Sequence, residues 1–110
     1  MEAVEDTNSG DLTGRQRRYL RGLANPLKAL VQVGEAGVSE AVIRALRDAL
    51  ESHELVKVKL QQPTDKKADA ELLAQKTGGQ LCGLVGHTVI LFRAHPENPK
   101  IELPAPGSAS

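Results

Sequence analysis

The chain has 110 residues, 40% of them hydrophobic and 25% charged, which is typical of one soluble globular domain with a single core. Its 14 basic and 14 acidic residues give a net charge of zero, and its single cysteine excludes an internal disulfide. No apolar run reaches the roughly 18 residues of a membrane span, and the first residues are acidic, unlike a secretory signal. We therefore expect a cytoplasmic protein without a membrane partner.

The charged residues are unevenly distributed along the chain. Four of the acidic residues lie in the first 11 positions, whereas every basic residue lies between positions 15 and 100. The segment 12–103 therefore carries 14 basic against 10 acidic residues. We predict a disordered acidic tail at residues 1–11, a mildly basic domain at residues 12–103 and a flexible tail at residues 104–110.

A first helix is predicted after Thr13, which is a suitable N-cap residue. The helix should run to about Ala24, because the Asn-Pro pair that follows disfavours further helical turns. Tyr19, Leu20 and Leu23 share one face of this helix, and we expect that face to lie in the core.

The middle of the chain predicts a strand, a helix and a second strand. Residues 29–33 form a short β-type run that ends in a glycine turn at Gly34–Gly37. Ser39 is a suitable N-cap for a second helix to about Ser52, which has an apolar stripe of 3.6-residue period. In residues 55–60 an apolar face alternates with a largely basic one, as in a strand buried on one side.

The last third of the chain predicts a weaker helix and a hairpin. Thr64 or Asp65 opens the helix, and a glycine pair ends it. Gln80–Val85 and Thr88–Phe92 are predicted strands that turn tightly between them. The order α-β-α-β-α-β-β predicts an α/β fold, a two-layer sandwich of helices on a four-stranded mixed sheet whose strand order stays open.

The first predicted helix has a dense positive charge, with Arg18 and Arg21 expected near the centre of its solvent-facing side. Four arginines occur within seven residues without an acidic neighbour, which is typical of a phosphate-binding surface, whereas a merely solvated helix usually mixes both signs. Lys57 and Lys59, on one face of a strand, would extend this surface or would simply form a solvated sheet face. The four arginines are Arg15, Arg17, Arg18 and Arg21.

The Gly34–Gly37 turn joins a strand to the N-terminus of a helix, where backbone N–H groups lack partners. Two glycines would let a phosphate backbone approach these donors closely. Glycines are also common in strand-to-helix connections for structural reasons alone, so the spacing leaves both interpretations open. A second GxxG spacing, Gly83–Gly86, is interpreted as part of a strand and its hairpin turn.

The remaining residue types do not indicate catalysis. Tyr19 and Phe92 are the only aromatic residues, and because both are expected in the core, we predict no aromatic platform for stacking bases. The three histidines and Cys82 lack the spacing of a zinc site, and no motif contains a nucleophile or a paired carboxylate. We predict no enzymatic activity, no cofactor, no metal and no small-molecule substrate.

Four blocks of the sequence together resemble the CRM domain (chloroplast RNA splicing and ribosome maturation), whose bacterial single-domain form is the YhbY family. They span almost everything between the two predicted tails. The blocks are Leu12–Ala24 with Leu27-Lys28, Val33–Ser39, His53–Lys59, and Val85-Gly86 with Val89–Arg93.

The resemblance implies a fold similar to the C-terminal domain of bacterial translation initiation factor three. It also implies a glycine loop likened to that of KH domains, and association with precursors of the large ribosomal subunit. Glu35 departs from the neutral or basic residues more common in that loop and should weaken its attraction for phosphate. The residues implied to bind RNA are Gly34, Glu35, Ala36, Gly37, Arg15, Arg17, Arg18, Arg21, Lys28, Lys57 and Lys59.

We therefore expect a monomeric RNA-binding protein that recognises the backbone path and shape of structured RNA, and of ribosomal RNA in particular. This hypothesis requires the arginine-rich helix and the glycine loop to lie on the same side of the molecule. The alternative is a protein-interaction adaptor whose basic helix docks on an acidic partner. An enzyme acting on RNA would need a nucleophile or metal site that the sequence does not indicate.

Overall fold

A computed structural model describes residues 12–105. The predicted N-terminal tail and residues 106–110 of the predicted C-terminal tail lie outside that range. Within it the predicted order α-β-α-β-α-β-β is confirmed, and no helix there is long and apolar enough to cross a membrane. The elements are α1 (Gly14–Ala24), β1 (Val31–Val33), α2 (Glu40–His53), β2 (Leu55–Leu60), α3 (Lys66–Thr77), β3 (Gln80–Val85) and β4 (Thr88–Phe92).

The four strands form one mixed sheet in the order β1-β2-β4-β3. β1 pairs with β2 in parallel, while β4 pairs antiparallel with β2 on one side and with β3 on the other. The parallel pair is joined through α2, as a crossover connection requires. β1 and β3 are consequently the two edge strands of the sheet.

Local sequence signals set the ends of the helices. The Ser39 hydroxyl accepts a hydrogen bond from Val42 N at 3.2 Å, and the Asp65 carboxylate accepts one from Ala68 N at 3.1 Å. Both side chains satisfy a backbone donor that has no partner within the helix. Gly78 ends α3 in the left-handed region with a φ of 75°, where a side chain would add strain.

The larger core lies between one face of the sheet and the two helices α2 and α3. It contains the apolar stripe predicted for α2 and, from α3, Ala70 and Leu73 with Ala74 packed against them. Its buried members are Val31, Val33, Leu46, Leu50, Val56, Val58, Leu60, Ala70, Leu73, Val89 and Leu91.

A smaller core lies on the opposite face of the sheet, beneath α1. Side chains of consecutive strand residues, such as Leu55 and Val56, belong to different cores because they point to opposite faces. The predicted α/β class and mixed sheet are confirmed, and α1 adds a third, partial layer to the two that were predicted. The buried members of the smaller core are Leu12, Leu20, Ala24, Leu55, Cys82, Ile90 and Phe92.

Candidate nucleic-acid interface

The start of α1 is fixed by a reciprocal capping box. The Thr13 hydroxyl accepts a hydrogen bond from Gln16 N at 3.1 Å, and Gln16 Oε1 accepts one from Thr13 N at 3.0 Å. Gln16 is buried and also donates from Nε2 to the carbonyl oxygen of Pro104 at 2.9 Å. The side chain of Gln16 therefore sets how α1 begins and which side of it faces the protein.

The buried face of α1 differs from the predicted one. Gln16, Leu20 and Ala24 are buried, whereas Tyr19 and Leu23 are exposed, so the prediction that Tyr19 and Leu23 lie in the core is wrong. The apolar pattern was misleading because a buried glutamine and a small alanine contribute little hydrophobicity to a helical stripe. The aromatic ring of Tyr19 is consequently available on the surface.

Arg17 and Arg21 point towards the edge strand β3. Arg17 Nε donates to the carbonyl oxygen of Leu81 at 3.1 Å, and Arg21 Nη1 donates to that of Cys82 at 2.8 Å. The prediction that Arg21 lies at the centre of the solvent-facing side of α1 is therefore wrong, whereas Arg18 is exposed as predicted. Both half-buried arginines satisfy carbonyl groups of an edge strand, and such groups would otherwise be open to pairing with another chain.

These bonds lie where the pairing of β3 with β4 is irregular. The register shifts between Leu81 and Gly83, leaving Cys82 without a directly opposed residue. This shift is typical of a β-bulge, which bends the strand and interrupts its ladder of hydrogen bonds. The two guanidinium groups donate hydrogen bonds to carbonyl oxygens at this bulge, those of Leu81 and Cys82, and keep their positive charge at the surface.

Three lysines continue the positive charge beyond α1. Lys57 is half-buried, and its Nζ donates to the carbonyl oxygens of Leu27 at 3.0 Å and Asn25 at 3.4 Å, just after the C-terminus of α1. A cation is favourable there because carbonyl groups at a helix end carry partial negative charge. Lys28 and Lys59 are exposed.

The sheet face beneath α1 is only partly covered. Direct pairing aligns Gln32, Lys59, Thr88 and Val85 in one row across all four strands. Gln32, Lys59 and Val85 are exposed, and Gln61 Nε2 donates to Gln32 Oε1 at 2.8 Å. On the side of the molecule that carries α1, this row therefore forms an open strip with one ammonium group, that of Lys59.

The fold separates charge between the two sides of the sheet. Residues 12–34 include five basic residues and no acidic one, and the four strands contribute two lysines and no acid. On the other side α2 holds three acidic and two basic residues, and α3 holds two acidic and three basic ones. We call the first side the basic face, defined by Arg15, Arg17, Arg18, Arg21, Lys28, Lys57 and Lys59.

The predicted glycine loop is a tight turn. Gly37 N donates to the carbonyl oxygen of Gly34 at 3.0 Å, and Gly37 has a φ of 82°, which a side chain would strain. Glu35 and Ala36 are exposed at its tip. The loop lines a cleft of about 190 Å³ that also includes Asp65 and Asp69, so carboxylates surround the backbone that was predicted to approach phosphate.

The loop and the arginines lie at different places on the sheet. Gly34 follows the edge strand β1, whereas Arg17 and Arg21 contact the opposite edge strand β3. Three strand spacings separate these edges, or roughly 14 Å. The loop then leads into α2 on the other side of the sheet, so the fold does not bring the glycine loop against the arginine-rich helix.

The family model of the CRS1 / YhbY (CRM) domain matches residues 12–93, which include α1, the glycine loop and all four strands. This chain belongs to the CRM domain family. That family is a family of RNA-binding domains and not of enzymes.

Similar proteins include two bacterial sequences and one solved structure. The probable RNA-binding protein YqeI of Bacillus subtilis (strain 168) is 41% identical over 95 residues, covering 84% of this chain and 99% of YqeI. An RNA-binding protein of Haemophilus influenzae is 33% identical over 95 residues, covering 84% of this chain and 95% of that protein. The solution structure of the hypothetical protein SAV1595 from Staphylococcus aureus matches with a TM-score of 0.76 at 41% identity. The match covers 84% of this chain and 99% of SAV1595.

The segment that follows the CRM match is held by Glu54, a residue that the sequence analysis did not single out. Its buried carboxylate accepts hydrogen bonds from the backbone N–H groups of His95, Lys100 and Ile101 at 2.8 to 3.0 Å. Burial alone would raise the pKa of Glu54, but these three donors outweigh burial and lower it. The only sequence signal was an acidic residue directly before a strand, which is too common to be specific.

Cys82 is a buried thiol on β3. Burial raises its pKa to about 11, although Arg17 and Arg21 nearby act in the opposite direction. The thiol is therefore protonated at neutral pH and is a poor nucleophile or metal ligand. Residues 12–105 include no group of three or more histidine, cysteine or acidic side chains suited to a metal ion.

Proposed function

We propose that this CRM domain binds structured RNA mainly through the sugar–phosphate backbone, using the basic face. The observation that carries the proposal is the concentration of positive charge on α1 and β2, whose basic residues have no acidic residue among them. The C-terminal segment that packs on the same side adds one exposed acid there, Glu102, between Ile101 and Leu103. A surface of one sign attracts the phosphate backbone irrespective of base sequence. The RNA-binding names of the relatives are consistent with this proposal.

Two kinds of basic residue contribute to the interface in this proposal. Arg18, Lys28 and Lys59 are exposed and pair directly with phosphates. Arg17 and Arg21 are held in place by carbonyl groups of β3, so they contribute fixed positive charge at a lower cost in side-chain entropy. The exposed residues should therefore dominate the salt dependence of binding.

The glycine loop has a secondary place in the proposal. Gly37 N is already bonded to the carbonyl oxygen of Gly34, and Glu35 at the tip and Asp65 and Asp69 in the adjoining cleft oppose a phosphate there. An RNA bound at Arg17 and Arg21 would reach the loop only by crossing the sheet past Lys59, which pairs with Gln32 in the strand before the loop. The loop then fixes the register of the RNA and contributes little to affinity.

We further propose that the target is ribosomal RNA in a precursor of the large subunit, bound in the cytoplasm by a monomer. Binding through the backbone makes and breaks no covalent bond, so the protein would act as an assembly factor that occupies a site until it is displaced. Crosslinking in cells followed by sequencing of the bound RNA tests the target directly. Enrichment of transfer or messenger RNA over ribosomal RNA would contradict this part of the proposal.

A salt titration with matched variants tests the mechanism. Neutralising about four phosphates should give log K against log salt a slope of roughly −3 to −4. Arg18→Glu with Lys59→Glu should flatten that slope by about 2, since each lost phosphate contact removes roughly one unit. Arg44→Glu with Lys67→Glu, on the other side of the sheet, makes the same change in net charge at exposed positions and should alter the slope little.

The same proteins separate RNA binding from a role as an adaptor. Partners captured from lysate by the wild type should be lost after ribonuclease treatment. Partners that survive digestion but are lost with Arg18→Glu and Lys59→Glu would show that the basic face docks on a protein.

A further inference from the structure

We propose that Tyr19 is a stacking site for an unpaired nucleotide, so that the preferred RNA is a helix interrupted by a bulge or loop. The inference rests on the RNA binding proposed above and adds the kind of RNA that is selected. Tyr19 is 43% exposed. It is the only tyrosine of a chain that has no tryptophan.

The orientation of α1 places this ring on a defined flank. Because Arg17 and Arg21 point to β3, the flank with Tyr19 and Leu23 lies on the other side of the buried stripe, away from that edge. Arg15 precedes Tyr19 by four residues, one helical turn, and so lies beside it. The ring thus lies next to Arg15, on the flank of α1 opposite Arg17 and Arg21.

The ring begins a band of exposed apolar side chains. Of the five large hydrophobic side chains exposed within residues 12–105, four lie between Tyr19 and Leu30. Tyr19 and Leu23 are one helical turn apart and so adjoin on the surface of α1, and adjoining exposed apolar side chains mark a binding surface. The four are Tyr19, Leu23, Leu27 and Leu30, which are 38% to 54% exposed.

The charge around the band favours a nucleotide over an apolar protein surface. No acidic residue occurs in residues 12–34, while Arg18 is exposed directly before Tyr19 and Lys28 is exposed between Leu27 and Leu30. A nucleotide presents an aromatic face between two phosphates, which matches a ring flanked by cations. An apolar protein partner would gain nothing from that excess of positive charge.

The RNA must offer an unpaired base for the ring to be used. Bases within a regular RNA duplex are stacked on each other, and its deep major groove is closed to side chains. A bulged or loop nucleotide can swing out while the flanking helix keeps its phosphates on the basic face. The inference therefore predicts selectivity for interrupted helices without selectivity for sequence.

Two RNA probes test the inference. One is a uniform duplex of about 16 base pairs, and the other is the same duplex with a single bulged 2-aminopurine nucleotide. Wild-type protein should bind the bulged probe more tightly, and Tyr19→Ala should weaken that complex by about five-fold or more while leaving the uniform duplex unchanged. Tyr19→Phe should retain the preference, because stacking needs the ring and not the hydroxyl group.

Fluorescence reports the contact itself. Binding should quench 2-aminopurine emission with the wild type and with Tyr19→Phe, but not with Tyr19→Ala. Gln75→Ala, at an exposed position of α3 on the other side of the sheet, is the control and should leave the quenching in place. Because Tyr19 is partly buried, thermal melting of each variant is measured first, and binding is compared at a temperature at which every protein is folded, which separates loss of contact from loss of fold.

The outcomes separate the two proposals. Tight binding of both probes with equal affinity, equally affected by Tyr19→Ala, would overturn the stacking site and leave RNA binding by the basic face intact. Failure of the wild type to bind either probe would overturn the proposed function itself. A Tyr19→Ala protein with unchanged RNA selectivity but lost capture of a protein partner would assign the band to protein docking and also overturn the stacking site.

Discussion

The side chain of Arg21 occupies the space that a Cβ atom on Gly83 would need. Such a Cβ would lie 2.6 Å from Arg21 Cδ and 3.2 Å from Cγ, well inside van der Waals contact. The glycine is thus required by a close approach between α1 and β3, since Gly83 itself does not have a positive φ. The same approach lets the guanidinium group reach the carbonyl oxygen of Cys82.

We expect Gly83→Ala to lower the free energy of unfolding by about 1–3 kcal/mol, because the added methyl group must displace the stem of Arg21. Gly22→Ala is the matched control: it lies in α1 with no atom within 4 Å of the new Cβ, so it should stabilise the protein by about 0.5–1 kcal/mol. Urea denaturation measures the free energy of unfolding of both variants. Equal effects of the two substitutions would show that Arg21 does not pack on Gly83.

Arg21 and Arg18 should respond differently to the same substitution. Arg21→Glu removes a hydrogen bond to an edge-strand carbonyl and places a carboxylate against it, so we expect a loss of about 1–3 kcal/mol in stability. Arg18→Glu changes an exposed residue and should change stability by less than about 0.5 kcal/mol. Thermal melting at fixed salt compares them, and similar losses for both would mean that α1 is rotated from the position described.

The fold was largely predictable because its strongest signals are local. Alternating side chains in Leu55–Leu60 and the hairpin of β3 and β4 gave the observed strand limits, and Ser39 capped α2 as predicted. β1 is shorter than predicted, Val31–Val33 in place of residues 29–33. Strand order was not predictable, since periodicity tells which residues share a face but not which strands are neighbours.

The site was harder to predict because it depends on contacts between distant parts of the chain. The rotation of α1 is fixed by Gln16, whose partners are Thr13 nearby and Pro104 far away in sequence. The role of Arg17 and Arg21 depends on a bulge in β3, which no local pattern announces. Basic character was thus visible in the sequence, whereas the division into exposed and carbonyl-bound cations was not.

Glu54 predicts a specific dependence of stability on acid. We expect Glu54→Gln to destabilise the protein by about 1–3 kcal/mol at neutral pH, because an amide offers one acceptor oxygen where three N–H donors converge. Since the pKa of Glu54 is lowered in the folded state, its contribution is present above the unfolded pKa of about 4.3 and is lost as pH falls through the lower folded value. The difference from wild type should therefore shrink in acid.

Denaturation of both proteins at pH 7 and near pH 3 measures this difference. Glu51→Gln, which alters an exposed glutamate one turn earlier, is the control and should have little effect at either pH. A difference that stays constant or grows towards acid would contradict the assigned role of the Glu54 carboxylate.

The carboxylate of Glu35 gives the glycine loop a negative charge, whose effect on RNA binding can be measured. Glu35 is exposed at the tip of the turn closed by the hydrogen bond from Gly37 N to the carbonyl oxygen of Gly34, so Glu35→Gln should leave stability unchanged. If a bound phosphate passes within about 7 Å of the loop, removing the carboxylate should strengthen RNA binding by about 0.6 kcal/mol, roughly three-fold, as expected for two unit charges in water.

The gain in RNA affinity from Glu35→Gln should vanish at high salt, because the repulsion between Glu35 and phosphate is exposed to solvent. Glu97→Gln, an exposed site beyond the CRM match, is the control for the change in net charge. An affinity equal to that of the control at low salt would place the loop outside the interface and leave the basic face as the sole contact surface for RNA.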